Sequence, residues 1–286
     1  MKNSMQLATL IFAGGVLLSA PRISAQGTQQ APPTLNPEKK QDKPAEVTPL
    51  TLDNAPPPVS AEEDAAIQAF RAAPISDIAK KDQLGEAFLQ KYPQSRYRPE
   101  IYSLLLRGYS SLGQIDKMET VGDKEIELNP NDAQALAIMG STLPRVMNAS
   151  TVEPQKRLEK AEQYSKRALE ILPTLVKPAE LSDADFLKAK DQTAALAYSG
   201  LGLVAVRRSK FAEAIPNFEQ AVKLDPTPDP VNYYLLGIAN EKTSHFEDAA
   251  NAFTKCAAVP GGLQATCKSG ADEAKKMGTT QLSAPK

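Results

Sequence analysis

The chain has 286 residues, with 33 lysines and arginines against 34 aspartates and glutamates and a formal net charge of −1. This near balance argues against a protein that binds nucleic acid through a basic surface. One histidine and two cysteines are too few for a zinc site, a haem attachment site or a cysteine-rich scaffold, so we expect no metal and no cofactor.

The first 25 residues have the layout of a secretory signal peptide. A basic start at Lys2 precedes an apolar run over residues 7–18, and small residues follow at Ser24 and Ala25. A twelve-residue helix spans about 18 Å, less than the roughly 30 Å hydrocarbon core of a bilayer. We therefore predict cleavage after Ala25, export to the periplasm of a Gram-negative-like bacterium or secretion, and no integral membrane span in the mature chain. An uncleaved anchor is the alternative.

The next segment, residues 26–60, contains eight prolines and no aromatic residue. Such a segment cannot bury enough apolar surface to offset the entropy of ordering it, so we predict a disordered, extended tether. The alternative is a ligand for a proline-binding module.

A helical repeat begins at Ala61. Its clearest sign is a set of residues that recurs after 35 positions. The matching pairs are Gly202 and Gly237, Ala214 and Ala249, and Phe218 and Phe253. Self-similarity at this period is typical of stacked helix pairs, in which small residues let two helices approach and an aromatic residue packs between them.

This pattern resembles the tetratricopeptide repeat, a helix-turn-helix unit. The best-matching segments are LGLVAVRRSKFAEAIPNFEQAVKLDP and LLGIANEKTSHFEDAANAFTKC, and weaker copies precede them. The resemblance implies an all-α fold, a right-handed α-solenoid of stacked helix pairs over residues 61–277. A capping helix from Leu263 to Met277 completes it, and a disordered tail covers residues 278–286.

One departure from the repeat spacing lies before the best-matching copy. Nineteen extra residues separate Pro173 from the next unit near Ala195. Ser182 has the position of an N-cap with Asp185 three residues later, a near variant of the capping box. We predict an unusually long helix from Asp183 to Arg208.

Two cysteines and one histidine are the remaining candidates for chemistry. Cys256 and Cys267 fall in adjacent helices, and in an exported protein we expect them to form a disulfide that fastens the capping helix. Two unpaired thiols are the alternative. His245 lies at a turn without a second metal ligand or a triad partner, so we predict a solvent-facing structural residue and no catalytic residue.

In tetratricopeptide proteins the first helices of the pairs line a concave groove that holds a peptide. The resemblance assigns ten residues to this groove: Ser103, Arg107, Ser141, Arg145, Ser199, Leu203, Arg207, Tyr234, Ile238 and Lys242. Basic and apolar residues alternate among them, which suits a peptide with acidic and hydrophobic side chains. Ser199 and Leu203 stand where the family's carboxylate clamp needs lysine and asparagine, so binding of a chaperone tail is not indicated. The alternative is a set of ordinary solvated helix positions.

These features favour a non-catalytic exported adaptor or scaffold that binds a protein or peptide partner in the groove. A second hypothesis is a structural cell-envelope assembly component that acts through its tether and through self-association. A third, an enzyme, depends on His245 alone. The oligomeric state and the partner's identity do not follow from the sequence.

Overall fold

The computed structural model describes residues 59–74 and 77–283. Eleven α-helices and one short 3₁₀ helix make up the regular structure of these residues, and they contain no strand. The helices are α1 (Ala61–Ala72), α2 (Ile78–Lys91), α3 (Arg98–Leu112), α4 (Ile115–Leu128), α5 (Ala133–Arg145), α6 (Pro154–Ile171), α7 (Asp183–Arg207), α8 (Phe211–Leu224), α9 (Pro230–Lys242), α10 (Phe246–Ala257) and α11 (Gln264–Ser283). The 3₁₀ helix covers Leu172–Thr174.

Side-chain caps define several helix starts. The side chains of Ser60, Asp77, Asp132, Ser182 and Asp229 each accept a hydrogen bond from a backbone N–H in the first turn that follows. Such a bond satisfies one of the N–H groups that have no partner within the helix. The long helix is confirmed: α7 begins after the predicted cap and runs for 25 residues, ending one residue before the predicted boundary.

Consecutive helices pack as pairs, and the predicted all-α solenoid of stacked pairs is confirmed. We call α1, α3, α5, α7 and α9 the first helices and α2, α4, α6, α8 and α10 the second helices. Each second helix packs on its own first helix, and α2, α4, α6 and α8 also pack on the next one. First helices additionally contact each other from α3 to α5, from α5 to α7 and from α7 to α9.

The repeat glycines explain how closely two helices of a pair approach. A Cβ atom at Gly202 would lie 2.7 Å from the ring of Phe218, and one at Gly237 would lie 2.7 Å from the ring of Phe253. Both rings are buried. Only glycine leaves room for the aromatic ring at these positions. The residues that recur after 35 positions therefore make the same glycine–phenylalanine contact in both repeats.

The C-terminal helix packs on α10 and differs from the predicted boundary. The tail predicted to be disordered from residue 278 is helical as far as Ser283, while residues 284–286 lie outside the described residues. Gly278 lies beside α10, where a Cβ atom would be 3.5 Å from Phe246 Cβ. The predicted signal peptide and residues 26–58 of the tether also lie outside the described residues.

Candidate functional site

Every residue predicted to line the groove lies on a first helix, and three of them are buried. Ser141, Ser199 and Leu203 have at most 5% of their surface exposed. The Ser199 hydroxyl donates a hydrogen bond of 2.7 Å to Asn232 Oδ1, which joins α7 to α9. Their assignment to an accessible groove is therefore corrected, because burial removes all three side chains from solvent.

Two predicted groove arginines hold neighbouring helices together. Arg207 Nε donates to the carbonyl oxygen of Pro144 at 2.9 Å, and its Nη2 donates to that of Met147 at 2.9 Å. These carbonyls lie at the C-terminal end of α5, where backbone acceptors have no partner within the helix. Arg145 pairs with Asp229, the N-cap of α9, at 2.5 Å. Both guanidinium groups thus contribute to stacking, while both residues stay exposed to solvent.

The other five predicted residues are exposed or partly buried and form two separate groups. Ser103 and Arg107 lie on α3, whereas Tyr234, Ile238 and Lys242 lie on α9. Arg107 is exposed and its Nη1 donates to Gln134 Oε1 of α5 at 2.8 Å. Tyr234 is half-buried and its ring centroid lies 5.9 Å from that of Phe253. The buried contacts among α5, α7 and α9 separate the two groups.

An apolar cleft of about 310 Å³ lies beside the α3 group, between α2 and α3. Its lining comprises Ile78, Lys81, Asp82, Leu104, Leu105, Arg107, Gly108, Tyr109 and Ser111. Lys81 is buried, and its ammonium group donates to the carbonyl oxygen of Phe70 at 2.9 Å. The Arg107 guanidinium therefore supplies the accessible positive charge at this cleft.

Hydrogen bonds fix the acidic side of the cleft. The Tyr109 hydroxyl donates to Asp82 and, at 3.0 Å, to Glu86. Burial, together with these bonds to carboxylates, raises the pKa of Tyr109. Lys117 bonds Glu86 at 2.8 Å and holds the pKa of that carboxyl below its usual range. This cluster joins α2, α3 and α4, and in it one ammonium group pairs with two carboxylates.

Glu125 is a buried acid at the junction of α4 and α5. It is 1% exposed, and its Oε2 atom has no hydrogen-bond partner. Burial raises the pKa of Glu125 to about 7, and the neighbouring Asp132 acts in the same direction, while Asn129 and Arg107 oppose them. This carboxyl group therefore changes protonation near neutral pH, where few side chains titrate.

The remaining candidates for chemistry, His245 and the two cysteines, make contacts typical of structural residues. His245 is exposed, and its Nδ1 lies 2.8 Å from the Thr243 hydroxyl. The structure joins Cys256 and Cys267 in a disulfide with Cα atoms 5.8 Å apart. Across residues 59–74 and 77–283, no group of three or more His, Cys, Asp or Glu side chains could hold a metal ion. No helix in the same ranges is long and apolar enough to cross a membrane.

Sequence reasoning missed Leu104, Gln134 and Glu125. The first two could have been found by extending the groove positions along each first helix, because they lie close to the residues already assigned on the same faces. Glu125 stands where the repeat expects a small apolar residue, which is a signal of burial. Its neighbours Asp132 and Asn129 lie beyond the helix that carries it.

Comparison with protein-family models finds a tetratricopeptide repeat at residues 195–228, covering the C-terminal part of α7 and all of α8. The predicted resemblance to the tetratricopeptide family is thereby confirmed. The comparison with curated proteins finds no match.

Solved structures with a similar arrangement of helices include three that cover most of the described chain. A thermophilic tetratricopeptide protein of Thermus thermophilus, TTC0263, is 18% identical, with 75% of this chain and 98% of that chain covered and a TM-score of 0.46. PilW, a type IV pilus biogenesis factor, is 14% identical, with 78% and 93% covered and a TM-score of 0.49. MamA from Desulfovibrio magneticus RS-1 is 18% identical, with 69% and 94% covered and a TM-score of 0.46.

Proposed function

We propose that this protein is a non-catalytic exported adaptor. The starting point is the tetratricopeptide repeat at residues 195–228. The protein binds a protein or peptide partner along its first helices, at the cleft beside Arg107. Tetratricopeptide proteins typically bind protein partners, and this supports an interaction role.

The observation that carries the proposal is the combination of an apolar cleft and one accessible guanidinium group. The cleft wall includes Ile78 and Leu104, and Arg107 stands at its edge. Apolar contacts supply affinity, while a charge at the edge selects partners of opposite sign. We therefore infer a peptide that inserts a hydrophobic side chain and carries a carboxylate near it.

Export is the second part of the proposal. It is supported by the signal-peptide layout of residues 1–25 and by a disulfide between Cys256 and Cys267. Disulfides persist in oxidising compartments and are rare in the cytosol. The tether at residues 26–60 would then allow the helical repeat to reach a partner at a distance, within the cell envelope or outside the cell.

The binding test uses fluorescein-labelled synthetic peptides that alternate leucine with glutamate, and matched peptides with lysine in place of glutamate. We expect the acidic peptides to bind more tightly than the basic ones. Arg107→Ala should weaken the binding of the acidic peptides about tenfold, because it removes one charge-assisted contact. The control is Lys268→Ala, which removes an exposed positive charge from α11. Arg207 stays intact in these variants because it stabilises the stack. Equal binding of both peptide sets, or an unaltered affinity in Arg107→Ala, would exclude this site.

A second candidate function, envelope assembly through self-association, is favoured by apolar side chains near the start of α7. Leu187 is 59% exposed, and Val176 in the preceding loop is 88% exposed. Light scattering of the full chain over a range of concentrations tests this candidate. A mass that rises with concentration and returns to the monomer in Leu187→Ser would support it, whereas a monomer at every concentration would exclude it.

A further inference from the structure

The last helix, α11, packs on α10 through a face made of small residues. Cys267, Ala271 and Ala274 are buried there, and Gly270 lies so close to Phe253 that a Cβ atom would be 3.1 Å from the ring. Hydrophobic stabilisation grows with the apolar area removed from water, and alanine and glycine remove little. By contrast, α8 inserts the whole Phe218 ring against its first helix.

The outer face of α11 is charged over residues 268–276. Lys268, Asp272, Glu273, Lys275 and Lys276 are all exposed to solvent. A single helix of this length is marginally stable in water, because most helix stability in proteins comes from packing of an apolar face. The non-covalent contacts of α11 therefore come from small side chains packed against the Phe253 ring of α10.

The disulfide adds a covalent link to this contact between small residues. It joins Cys256, in the last turn of α10, to Cys267, in the first turn of α11. The intervening loop contains Gly261 at a φ of 153° and Gly262, and no atom lies near enough to contact a Cβ at either position. Such a loop has wide conformational freedom when the covalent bond is missing. Closing a loop of about ten residues removes much of that freedom.

We propose that the Cys256–Cys267 disulfide acts as a redox latch, so that α11 closes over α10 only in the oxidised chain. The oxidation is an exchange with a small-molecule disulfide such as oxidised glutathione. The two cysteine thiols give up two hydrogens and form the protein S–S bond, while the S–S bond of the small molecule breaks and leaves as two thiols. Both cysteine side chains are fully buried in the closed state, so exchange takes place before α11 docks or when it opens.

Opening of the latch uncovers an apolar end of the helix stack. The surface that α11 covers includes Ala249, Ala250 and Phe253 of α10, with Tyr234 and Ile238 of α9 packed against them. The chain would therefore keep this end uncovered as long as it remains in a reducing compartment. The latch does not depend on the proposed adaptor role, and its test involves no partner.

Hydrogen exchange measured by mass spectrometry tests the latch on the full chain. Three samples are compared: the oxidised chain, the chain folded in dithiothreitol, and the double variant Cys256→Ala/Cys267→Ala. We expect the amides of α11 to exchange at least about tenfold faster in the last two samples, while the amides of α7 and α8 keep their rates. Reoxidation of the natural chain should restore the slow exchange.

The control is the oxidised Lys268→Ala variant, which should exchange like the oxidised natural chain. Exchange of α11 within twofold of the oxidised rate in the thiol forms would overturn the proposal. Loss of protection in α7 and α8 together with α11 would also overturn it, because α11 would then not open as a separate unit.

Discussion

The two halves of α7 differ in burial although they belong to one continuous helix. In the N-terminal half, residues 183–192, Leu187 is largely exposed. In the C-terminal half, residues 193–207, even the polar Ser199 is buried, and Gly200 and Gly202 contact neighbouring helices. The C-terminal half contacts α5 and α6 at Gly200, α8 at Gly202 and α9 at Ser199. The N-terminal half carries five charged residues, whereas Arg207 is the one charged residue of the C-terminal half. Apolar composition and small residues that allow backbones to approach therefore act together to enclose the C-terminal half.

Leucine-to-alanine substitutions compare the stability contributed by the two halves of α7, and the one in the enclosed half should have the largest effect. Leu203→Ala removes a buried side chain that packs in a cluster with Phe218 and Leu236, and we expect it to cost about 3 kcal/mol of unfolding free energy. Thermal and denaturant unfolding measure the loss. A loss below about 1 kcal/mol would mean that this half of α7 is not enclosed as described.

A glycine in the enclosed half should give the next largest effect. A Cβ atom at Gly200 would lie 2.7 Å from the carbonyl oxygen of Gly140 on α5, so α5 and α7 must move apart. We expect Gly200→Ala to destabilise the protein by about 2 kcal/mol and to lower Tm by about 4–8 °C. The matched control is Gly262→Ala, where no atom lies within 4 Å of the new Cβ. Equal Tm values for the two variants would contradict the close contact.

Buried polar groups in α7 and α4 differ in their hydrogen bonding. Ser199 has a hydrogen-bond partner, whereas Glu125 has an oxygen without one. Because burial raises the pKa of Glu125 from 4.5 to about 7, the folded chain keeps a proton that the unfolded chain releases. Stability from this group is present below pH 4.5, falls as the pH rises toward 7 and is lost above that.

Glu125→Gln keeps the shape of the side chain and removes its titration. We expect the variant to be about 1–2 kcal/mol more stable than the natural chain at pH 8, and this advantage to shrink at pH 4.5. Denaturant unfolding at both pH values measures the difference. An advantage of the same size at the two pH values would show that Glu125 does not titrate in this range.

The exposed half of α7 should give the smallest effect. Leu187→Ala should change the unfolding free energy by no more than about 0.5 kcal/mol, because its side chain makes few contacts that the mutation could remove. It therefore serves as the internal reference for Leu203→Ala. A loss comparable with that of Leu203→Ala would indicate that this half is covered in solution, as self-association would require.

Most of the fold could be predicted because its signals are local. The recurrence of Gly202 at Gly237 and the cap at Ser182 each reflect contacts within one helix pair or one turn. Proline and glycine also mark helix ends by local effects, because proline cannot continue a helix and glycine readily adopts the left-handed conformation that ends many helices. The last helix was predicted to end at Met277, six residues before its end at Ser283.

The candidate site was less predictable because its residues depend on contacts between distant parts of the chain. Arg207 binds carbonyl groups 60 to 63 residues away, and Arg145 pairs with a residue 84 positions away. Both arginines occupy positions that the repeat assigns to the groove. Residue type and repeat position alone do not reveal whether a guanidinium group has already found acceptors within the protein.

The sequence by itself determined the helices, their pairing and their 35-residue period, because short-range hydrogen bonding and one repeated glycine–aromatic contact specify them. Only the tertiary structure decided that Ser141, Ser199 and Leu203 are enclosed, that Arg145 and Arg207 hold helices together, and that Arg107 stays accessible beside a cleft. The near-neutral charge of the whole chain is no guide to this outcome. Accessibility follows from how closely the first helices approach each other, and that distance depends on pairs of small residues from separate repeats.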